Sequence, residues 1–322
     1  MICVLGGGVV GLTTALELQQ AGLKVTLIAD KFGRETTSDG AAGLFRPGNT
    51  FSAANPKLTK EWIETSYYHY TRLLDAGCGI REISGYMFSN LDTSIVKNDL
   101  LEGLLPEYRE VTEEELKICP GDWKYGSYYK TLVIECRLYL PWLTKRFEEN
   151  GGHIIKKFVK SFDELQGYEV VVNCTGLGAK VLCNDRNMVA LSGQVFKVEA
   201  PWLDNFFYAE YDTYIIPGIS HVTLGGTRKY DSWSRDVCKY TSMEIWEKCT
   251  TLVPRLKESK VLYEWVGLRP HREGGVRVEK EILENGIKVV HNYGHGGYGV
   301  TSAPGSSKYA VKLVHEFLSS SI

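Results

Sequence analysis

The 322-residue sequence contains no apolar run long enough, at roughly 18 residues, to form a transmembrane helix. It has little excess of either charge, because 37 basic and 39 acidic side chains leave a formal net charge of −2. This balance gives no reason to expect binding to nucleic acid or to an anionic membrane. Internal repeats and low-complexity linkers are also lacking. What remains is an ordinary globular composition, 43% hydrophobic and 24% charged, long enough for two domains or one large α/β body.

Cysteine and histidine are present, but without the spacing of disulfide, redox or metal motifs. The eight cysteines include no C-x-x-C pair, so we expect reduced, mostly buried thiols in an intracellular protein. His291 and His295 are four residues apart, but they flank Tyr293 and lead into glycines. A helix that would present both rings to one ion is not expected there, and we predict no metal site.

A glycine fingerprint follows the first apolar segment. Ile2–Leu5 predicts a buried parallel strand, and the next six residues, Gly6–Gly11, match G-x-G-x-x-G. A helical pattern then covers Leu12–Gln19, and a second apolar strand covers Val25–Ile28. Asp30 ends that strand, about 20 residues after the glycines, where a ribose-binding acid is expected. Because all five elements occur in order, we favour a dinucleotide-binding unit over a glycine-rich structural turn.

Each glycine of the fingerprint has an expected task. Gly6 allows the tight turn, Gly8 lets backbone N–H groups approach a pyrophosphate, and Gly11 lets the helix pack on the sheet. The pyrophosphate would then lie at the positive end of the helix dipole.

Later segments extend this pattern. Val170–Ala179 predicts an apolar strand that ends in polar and small residues, as strands do where they meet a cofactor. We predict helices over Leu58–Leu74, Leu140–Phe147 and about Ser306–Ser319. The period-two alternation of Ser192–Trp265 predicts a largely antiparallel sheet with one solvated face.

These elements predict an α/β protein with a discontinuous, Rossmann-like cofactor domain and an inserted, mostly antiparallel β substrate domain. The cofactor domain would comprise residues 1–48, 137–192 and 277–322, and the substrate domain residues 49–136 and 193–276. Because ligand sites commonly lie between domains, we expect the site at their interface.

The order of these motifs resembles that of the FAD-dependent D-amino-acid oxidases, and within that family the D-aspartate oxidase group, over nearly the whole chain. The blocks that carry the resemblance are Gly6–Gly11, Thr36–Leu44, Val172–Gly176, Gly193–Val195, Tyr214–Gly218, Leu224–Arg228, Gly267–Pro270 and His291–Gly299. The resemblance implies FAD as cofactor, with a small D-amino acid and dioxygen as partners.

The implied reaction is oxidative deamination. A D-amino acid loses a hydride from Cα to flavin N5, the imino acid hydrolyses to a 2-oxo acid and ammonia, and dioxygen yields hydrogen peroxide. Acidic substrates, D-aspartate and D-glutamate, are favoured, and neutral D-amino acids are the alternative. We identify no general base in the sequence, so the protein is expected mainly to position the Cα–H bond.

The resemblance also implies a set of substrate-binding residues that includes Gly297. Arg269 would bind the α-carboxylate through its planar fork, and the Tyr214 hydroxyl would donate to the same group. Arg228 would face the substrate's side-chain carboxylate, or else be a surface charge at a strand end. Arg46 has three open interpretations: it assists a dicarboxylate, stabilises a reduced anionic flavin, or turns to solvent or an acidic neighbour.

The segment before Tyr214 is short, as in the D-aspartate oxidases, whereas oxidases of neutral substrates have a longer loop with a second active-site tyrosine. An arginine that some relatives carry in this loop is missing. Tyr208 or Tyr211 is expected to fill its space.

For FAD, the resemblance places Asp30 at the ribose hydroxyls with Lys31 beside the adenosine, and Val159 near adenine. Hydroxyl and N–H groups of Thr36–Ser38 would bind phosphate, and late glycines would line the flavin pyrimidine, where N–H donors stabilise negative charge. The predicted FAD-binding residues are Gly6, Gly8, Val9, Val10, Gly11, Asp30, Lys31, Thr36, Thr37, Ser38, Gly43, Leu44, Val159, Thr175, Gly176, Gly294, Gly296, Gly297, Tyr298, Gly299 and Thr301.

The resemblance also implies a peroxisomal location, with the cytosol as the alternative. The C-terminal sequence Ser319–Ile322 matches the Ser-Lys-Leu address poorly. The sequence does not predict an oligomeric state.

Overall fold

Two β-sheets organise the part of the chain that the structure, a computed structural model, describes: residues 1–48 and 51–319. The α-helices in this part are α1 Val9–Gln20, α2 Pro56–Thr71, α3 Thr93–Val96, α4 Cys136–Glu149, α5 Ala179–Leu182, α6 Lys239–Leu252 and α7 Gly299–Ser319. The strands are β1 Ile2–Gly7, β2 Val25–Phe32, β3 Ile80–Ser89, β4 Glu107–Glu110, β5 Tyr125–Ile134, β6 His153–Lys156, β7 Val170–Asn173, β8 Met188–Glu199, β9 Phe206–Ala209, β10 Thr213–Pro217, β11 Val222–Gly225, β12 Lys229–Tyr230, β13 Lys260–Arg272, β14 Arg277–Ile282 and β15 Lys288–Tyr293.

The first sheet has the strand order β14-β15-β7-β1-β2-β6. Its strands run parallel except β14, which pairs antiparallel with β15 at the edge. Ile2 of β1 lies between Val25 of β2 and Val170 of β7. Because β1 and β7 are buried along nearly their whole length, both faces of this sheet are covered, as the continuous apolar runs predict. The predicted strand–helix–strand unit at the start of the chain is confirmed.

The second sheet has the order β12-β8-β11-β10-β9-β3-β5-β4, with β13 paired along the other edge of β8. Its pairings are antiparallel except that of β3 with β9. The long β8–β13 ladder runs from Met188 opposite Arg272 to Glu199 opposite Lys260. With one largely parallel and one largely antiparallel sheet, the predicted α/β class is confirmed.

The prediction of one solvated face between residues 192 and 265 is wrong. Helix α6 packs against β8, β10 and β11, and Ile245, Cys249 and Leu252 bury their side chains in that contact. This helix is not predicted from the sequence because Thr241 and Cys249 occupy two of its buried positions, which weakens the 3.6-residue apolar period. β8 is consequently buried on both faces for most of its length.

The closing helix begins at Gly299, seven residues before the predicted start at Ser306. A proline at position 304 removes the N–H that would donate to the carbonyl of Val300. The buried hydroxyl of Tyr70 donates to this carbonyl instead, over 2.6 Å. A tertiary contact therefore lets the helix continue through a residue that usually interrupts one.

The other predicted helices are present with shifted ends. The predicted helix Leu58–Leu74 is α2, which starts at Pro56 behind an Asn55 cap and ends at Thr71. The predicted helix Leu140–Phe147 is the middle of α4. Such shifts are expected, because the ends of helices depend on capping contacts more than on apolar period.

The predicted domain boundaries fall close to sheet boundaries. β5 of the second sheet ends at Ile134, α4 follows, and β14 of the first sheet starts at Arg277. β8 crosses the predicted boundary at 192/193, since it starts at Met188. We retain the two-domain division as a proposal. The predictions for the boundary at residue 49 and for the C-terminal tripeptide 320–322 lie outside the described residues.

All eight cysteines are free thiols in this structure, and six of them are buried, which confirms that most of them are buried. Burial raises the pKa of Cys174, for example, to about 12. Of the helices that the structure describes, none is both long and apolar enough to cross a bilayer.

Candidate active site

A cavity of about 980 Å³ is lined by residues of both sheets. Every predicted substrate-binding residue lines it, and so does every predicted cofactor-binding residue except Gly11. Its volume lies at the upper end of the roughly 300–1,000 Å³ usual for ligand sites, as an extended ligand requires.

Arg269 enters this cavity from β13. A Cβ on Gly193 of the neighbouring β8 would overlap the guanidinium, and a Cβ on Gly297 would lie 3.2 Å from Arg269 Cδ. One guanidinium nitrogen, Nη1, donates to the backbone carbonyl of Thr227 over 3.0 Å. Among the described residues no carboxylate lies within ion-pair distance, so the rest of the fork is available to a ligand.

Tyr214 lies on β10 opposite Gly225. Its ring occupies the space in which side chains on Gly225 and Gly226 would stand. The ring centroid is 5.5 Å from that of Tyr208. Tyr208 is half-buried in the cavity wall, whereas Tyr211 is 65% exposed. Of the two tyrosines expected to fill the space of the missing arginine, Tyr208 is therefore the one that lies in the interior.

Arg228 follows β11 at the exposed end of the cavity. Its guanidinium makes no ion pair with a carboxylate of the described residues, and the nearby Asp231 instead accepts from the Trp233 indole over 3.0 Å. A selectivity argument based on burial therefore does not apply to Arg228, which lies at the entrance.

Arg46 lies in the interior wall of the same cavity. Its Nε donates to Met87 Sδ over 3.3 Å, and its guanidinium carbon lies 4.9 Å from the Tyr208 ring centroid. The interpretation that Arg46 turns to solvent or to an acidic neighbour is wrong. Its other two interpretations stay open at this point.

At the opposite part of the cavity, the first turn of α1 follows the glycine fingerprint. Gly6 has φ +115°, and a Cβ there would overlap the carbonyl of Cys174. A Cβ on Gly11 would overlap the carbonyl of Gly6. Gly11 therefore does not line the cavity, contrary to its place among the predicted cofactor contacts; it permits the close approach of α1 to β1.

Comparison with known proteins decides the family. A family model described as FAD dependent oxidoreductase matches residues 1–313. The chain belongs to this family. It is 37% identical over 329 residues to D-aspartate oxidase of Homo sapiens, covering 98% of this chain and 94% of that protein. It is 33% identical over 335 residues to D-amino acid oxidase of Dugesia ryukyuensis, covering 98% of each.

The fold matches solved members of the same kind. Glycine oxidase from Geobacillus kaustophilus superposes with a TM-score of 0.81, covering 98% of this chain and 94% of that one at 19% identity. Since that identity is low, the match concerns the fold alone. The family match over residues 1–313, and not this superposition, shows that the protein is an FAD-dependent oxidoreductase.

The residues at the α1 end fit an FAD pyrophosphate. Gly8 is the N-cap of α1, and among the described residues a Cβ there would meet only Ser38 Oγ within 4 Å, at 3.2 Å. Ser38 Oγ accepts from the Val9 N–H over 3.1 Å, which leaves its own hydrogen for a phosphate. The hydroxyls of Thr36 and Thr37 instead donate to the carbonyls of Gly33 and Leu268, so they line the cavity without offering hydrogens to phosphate.

The residues predicted to bind the adenosine of FAD lie at the carboxyl end of β2. Asp30 and Lys31 line the cavity there, with 3.8 Å between the Asp30 carboxylate and the Lys31 ammonium, and both side chains are largely solvent-accessible. Val159 supplies an apolar contact on the same part of the wall. An accessible carboxylate at a strand end suits hydrogen bonds from ribose hydroxyls.

The residues predicted to line the flavin pyrimidine lie in the segment that enters α7. Gly294 and Gly296 have φ of +89° and +58°, which favour glycine, and Gly299 and Thr301 in the first turn of α7 line the cavity. Because α7 begins earlier than predicted, the positive end of a 21-residue helix adjoins this part of the cavity. Charge that accumulates on reduction would be stabilised there. The other predicted contacts, Val10, Gly43, Leu44, Thr175, Gly176 and Tyr298, also line the cavity.

His295 also lies at this end, but it is 3% exposed. Its Nε2 shares a hydrogen bond of 2.9 Å with Ser306 Oγ, and burial lowers its pKa to about 3. The ring is therefore neutral near pH 7 and serves α7 packing. Within residues 1–48 and 51–319 no cluster of metal-ligating side chains is found.

The sequence interpretation missed Trp265. Its indole covers Gly40 and Gly267, and all three residues line the cavity. Period two along β13 would have found it, because Trp265, Gly267 and Arg269 alternate onto one face. Arg235, in the segment after β12, is a second lining residue that was missed, and no motif marks it.

Proposed function

We propose that the protein oxidises D-amino acids, with acidic ones preferred, to 2-oxo acids, ammonia and hydrogen peroxide by hydride transfer from Cα to flavin N5. One observation carries the proposal: Arg269, Arg228 and Arg46 line a single cavity, and none of them pairs with a carboxylate of the described residues. A small diacid would satisfy such a cavity, because the partly buried guanidinium groups of Arg269 and Arg46 require counter-charges, while the exposed Arg228 adds positive charge.

Arg269 is suited to bind the α-carboxylate. Its fork is held between Gly193 and Gly297 and oriented by Thr227, so little side-chain freedom is lost when a planar carboxylate binds to two N–H groups. The Tyr214 hydroxyl, which has no hydrogen-bond partner among the described residues, is available to donate to the same group. FAD, when bound, supplies the two-electron acceptor.

The cavity wall carries Asp212, Glu273 and His271, but each of these side chains is paired with another side chain. Asp212 pairs with Lys248 over 3.3 Å, and Glu273 pairs with His271 over 3.3 Å. The protein contributes position and charge: it fixes the α-carboxylate, and the α7 terminus lies where negative charge would develop. This arrangement suits loss of the α-hydrogen as hydride.

The basic test is peroxide release from the purified holoenzyme with a panel of D- and L-amino acids. We expect turnover with D-aspartate and D-glutamate that exceeds turnover with D-alanine, and none with the L-enantiomers. If no D-amino acid yields peroxide, the proposal fails.

Arg228 is the residue to vary for the acidic preference. Arg228→Ala should lower kcat/KM for D-aspartate more than for D-alanine, because its positive charge at the entrance acts only on a second negative charge. Arg186→Ala, at an exposed position outside the cavity, is the control. Equal losses on both substrates would contradict the preference.

For location, we propose the peroxisome, which would contain the hydrogen peroxide that this reaction releases. The support is the resemblance to the family. A fluorescent fusion that leaves the C-terminus free, imaged against a peroxisomal marker, tests it. Diffuse cytosolic signal would contradict it.

A further inference from the structure

Arg46 is held rigidly although it lies outside the regular strands. Leu44 forms a bridge with Val133 of β5. The Phe45 N–H donates to Leu132 O over 2.8 Å, and the Thr131 hydroxyl donates to Phe45 O over 2.8 Å. The backbone immediately before Arg46 is therefore fixed to the second sheet.

The side chain of Arg46 is fixed as well. Met87 and Tyr208, which it contacts, lie directly opposite each other where β3 pairs with β9. A sulfur and an aromatic face replace part of the hydration of the guanidinium, and the cation–π contact contributes to its orientation. A guanidinium held by such a cross-strand pair is fixed in position before a ligand binds to it.

Within the described residues, the charge on Arg46 has no counter-charge. Its titratable neighbours are the phenols of Tyr129, Tyr208, Tyr298 and Tyr108, which are neutral near pH 7. Among the described residues no carboxylate lies within 4.0 Å of its nitrogens. A cation kept in a protein interior without a partner is strongly unfavourable unless a ligand supplies the anion.

The position of Tyr208 indicates which end of the ligand reaches Arg46. The Tyr208 ring contacts Arg46 on one side and lies beside Tyr214, and the charge of Arg228 reaches the same phenol. Arg46 thus belongs to the part of the cavity that carries Tyr214 and Arg228, whereas Asp30 and Lys31 line its adenosine end.

We propose that Arg46, oriented by Tyr208 and Met87, binds the side-chain carboxylate of an acidic D-amino acid and is the main determinant of that specificity. The inference rests on the proposed function and deepens it. Arg269 binds the α-carboxylate, Arg46 the second carboxylate, and the exposed Arg228 attracts the diacid at the entrance. A neutral substrate would leave the interior guanidinium unpaired, and that asymmetry produces discrimination.

The kinetic test compares D-aspartate with D-asparagine, which has nearly the same shape but no second charge. In Arg46→Gln we expect kcat/KM for D-aspartate to fall about 10- to 100-fold, the range for loss of a charged hydrogen bond, and that for D-asparagine to change less than about threefold. Arg255→Gln is the matched control, because Arg255 also stacks on an aromatic ring, Trp202, at 4.4 Å, but lies outside the cavity. Its kinetics should equal those of the wild type.

A binding test avoids turnover. Succinate and butyrate differ by one carboxylate, and each is titrated into the oxidised holoenzyme while the flavin absorbance is followed. Arg46→Gln should weaken succinate at least about tenfold and leave butyrate nearly unchanged. Arg46→Lys, which retains the charge if the glutamine variant does not fold, should weaken succinate by a smaller factor and leave butyrate unchanged.

The alternative role of Arg46 gives a different result. If its charge serves the reduced flavin, Arg46→Gln lowers the flavin midpoint potential, slows D-aspartate and D-asparagine equally, and leaves the succinate affinity unchanged. That combination would overturn the inference while the wild type still oxidised D-amino acids. Absence of peroxide from the wild type with every D-amino acid would instead overturn the proposed function.

Discussion

Arg269 donates a hydrogen bond of 3.0 Å to the backbone carbonyl of Thr227, the residue directly before Arg228. The Thr227 hydroxyl in turn accepts from the Gln194 N–H of β8 over 2.9 Å. The backbone that orients the inner arginine therefore also fixes the start of the segment that carries the outer one. A change at Arg269 should act on every substrate, whereas a change at Arg228 should act on charged ones.

Arg269→Lys tests this difference. The lysine keeps the charge but cannot hold a carboxylate and the Thr227 carbonyl with one planar fork. We expect kcat/KM for D-aspartate and D-alanine to fall by similar factors, about 10- to 100-fold, from the loss of a charged hydrogen bond. Initial rates of peroxide formation measure it, with Arg186→Lys as a surface control. A loss confined to D-aspartate would show that Arg269 does not bind the α-carboxylate.

Gly11→Ala should lower both stability and FAD content. Alanine is favoured over glycine by about 1 kcal/mol in a helix interior, but overpacking typically costs about 1–3 kcal/mol. The clash here is with the Gly6 backbone carbonyl, which cannot rotate away, so the penalty should prevail. Thermal unfolding and the flavin-to-protein absorbance ratio are the measurements. Gly167→Ala, where a Cβ meets nothing within 4 Å, should behave as wild type; a stable, fully loaded Gly11→Ala protein would refute the packing role.

Tyr70→Phe should destabilise the protein by about 1–3 kcal/mol, the usual effect of leaving a buried polar group unpaired. The variant removes the hydroxyl that donates to Val300 O, and Pro304 supplies no N–H in its place. Pro304→Ala restores that N–H, so the double variant should recover part of the loss. Urea unfolding of the wild type, the two single variants and the double variant gives the coupling free energy between Tyr70 and Pro304. Additive effects would contradict the explanation.

Lys197→Met tests a buried amine on β8 of the second sheet. Lys197 is 1% exposed and donates to Thr223 Oγ1 over 2.9 Å. Burial lowers its pKa to about 8 from 10.5, although Glu135 acts in the opposite direction. Between these values the unfolded chain binds more protons, so this lysine makes the free energy of unfolding rise with pH from about 8 to 10.5.

The methionine variant should be more stable than the wild type at pH 7, and the difference should shrink as the pH approaches 10. Urea titrations at pH 7, 8, 9 and 10 measure it, and taking the difference between the two proteins removes the contribution of titrating tyrosines. A difference in the free energy of unfolding that does not depend on pH would show that burial does not lower the pKa of Lys197.

The glycine fingerprint was predictable because its demands are local. Gly6 needs a positive φ and Gly11 a close helix approach, and both requirements are contained in one strand–turn–helix segment. Arg269 and Trp265 follow from period two on a single strand. The start of α7 was not predictable, since Pro304 is compensated by Tyr70 from a distant helix.

The setting of Arg46 depends on a still more distant contact. Met87 and Tyr208 lie together because β3 pairs with β9. β9 has only four residues, and no pattern in the sequence predicts that it pairs with β3 or in which register. The sequence therefore indicated that a cation was present near the flavin segment, but not that an aromatic face would hold it. Short-range patterns specify backbone requirements, whereas electrostatic partners come from the assembled sheet.

The β8–β13 strand pair carries several residues of the cavity wall. Gly193 and Val195 on one strand and Trp265 and Arg269 on the other all line the cavity, and continuous pairing fixes their spacing. The placement of Arg269, the proposed α-carboxylate ligand, relative to Trp265 and Gly193 is therefore set by β geometry and not by a loop. Under the proposed function, side chains at the rim could then be exchanged, changing which amino acids are accepted, without moving the residue that holds the α-carboxylate.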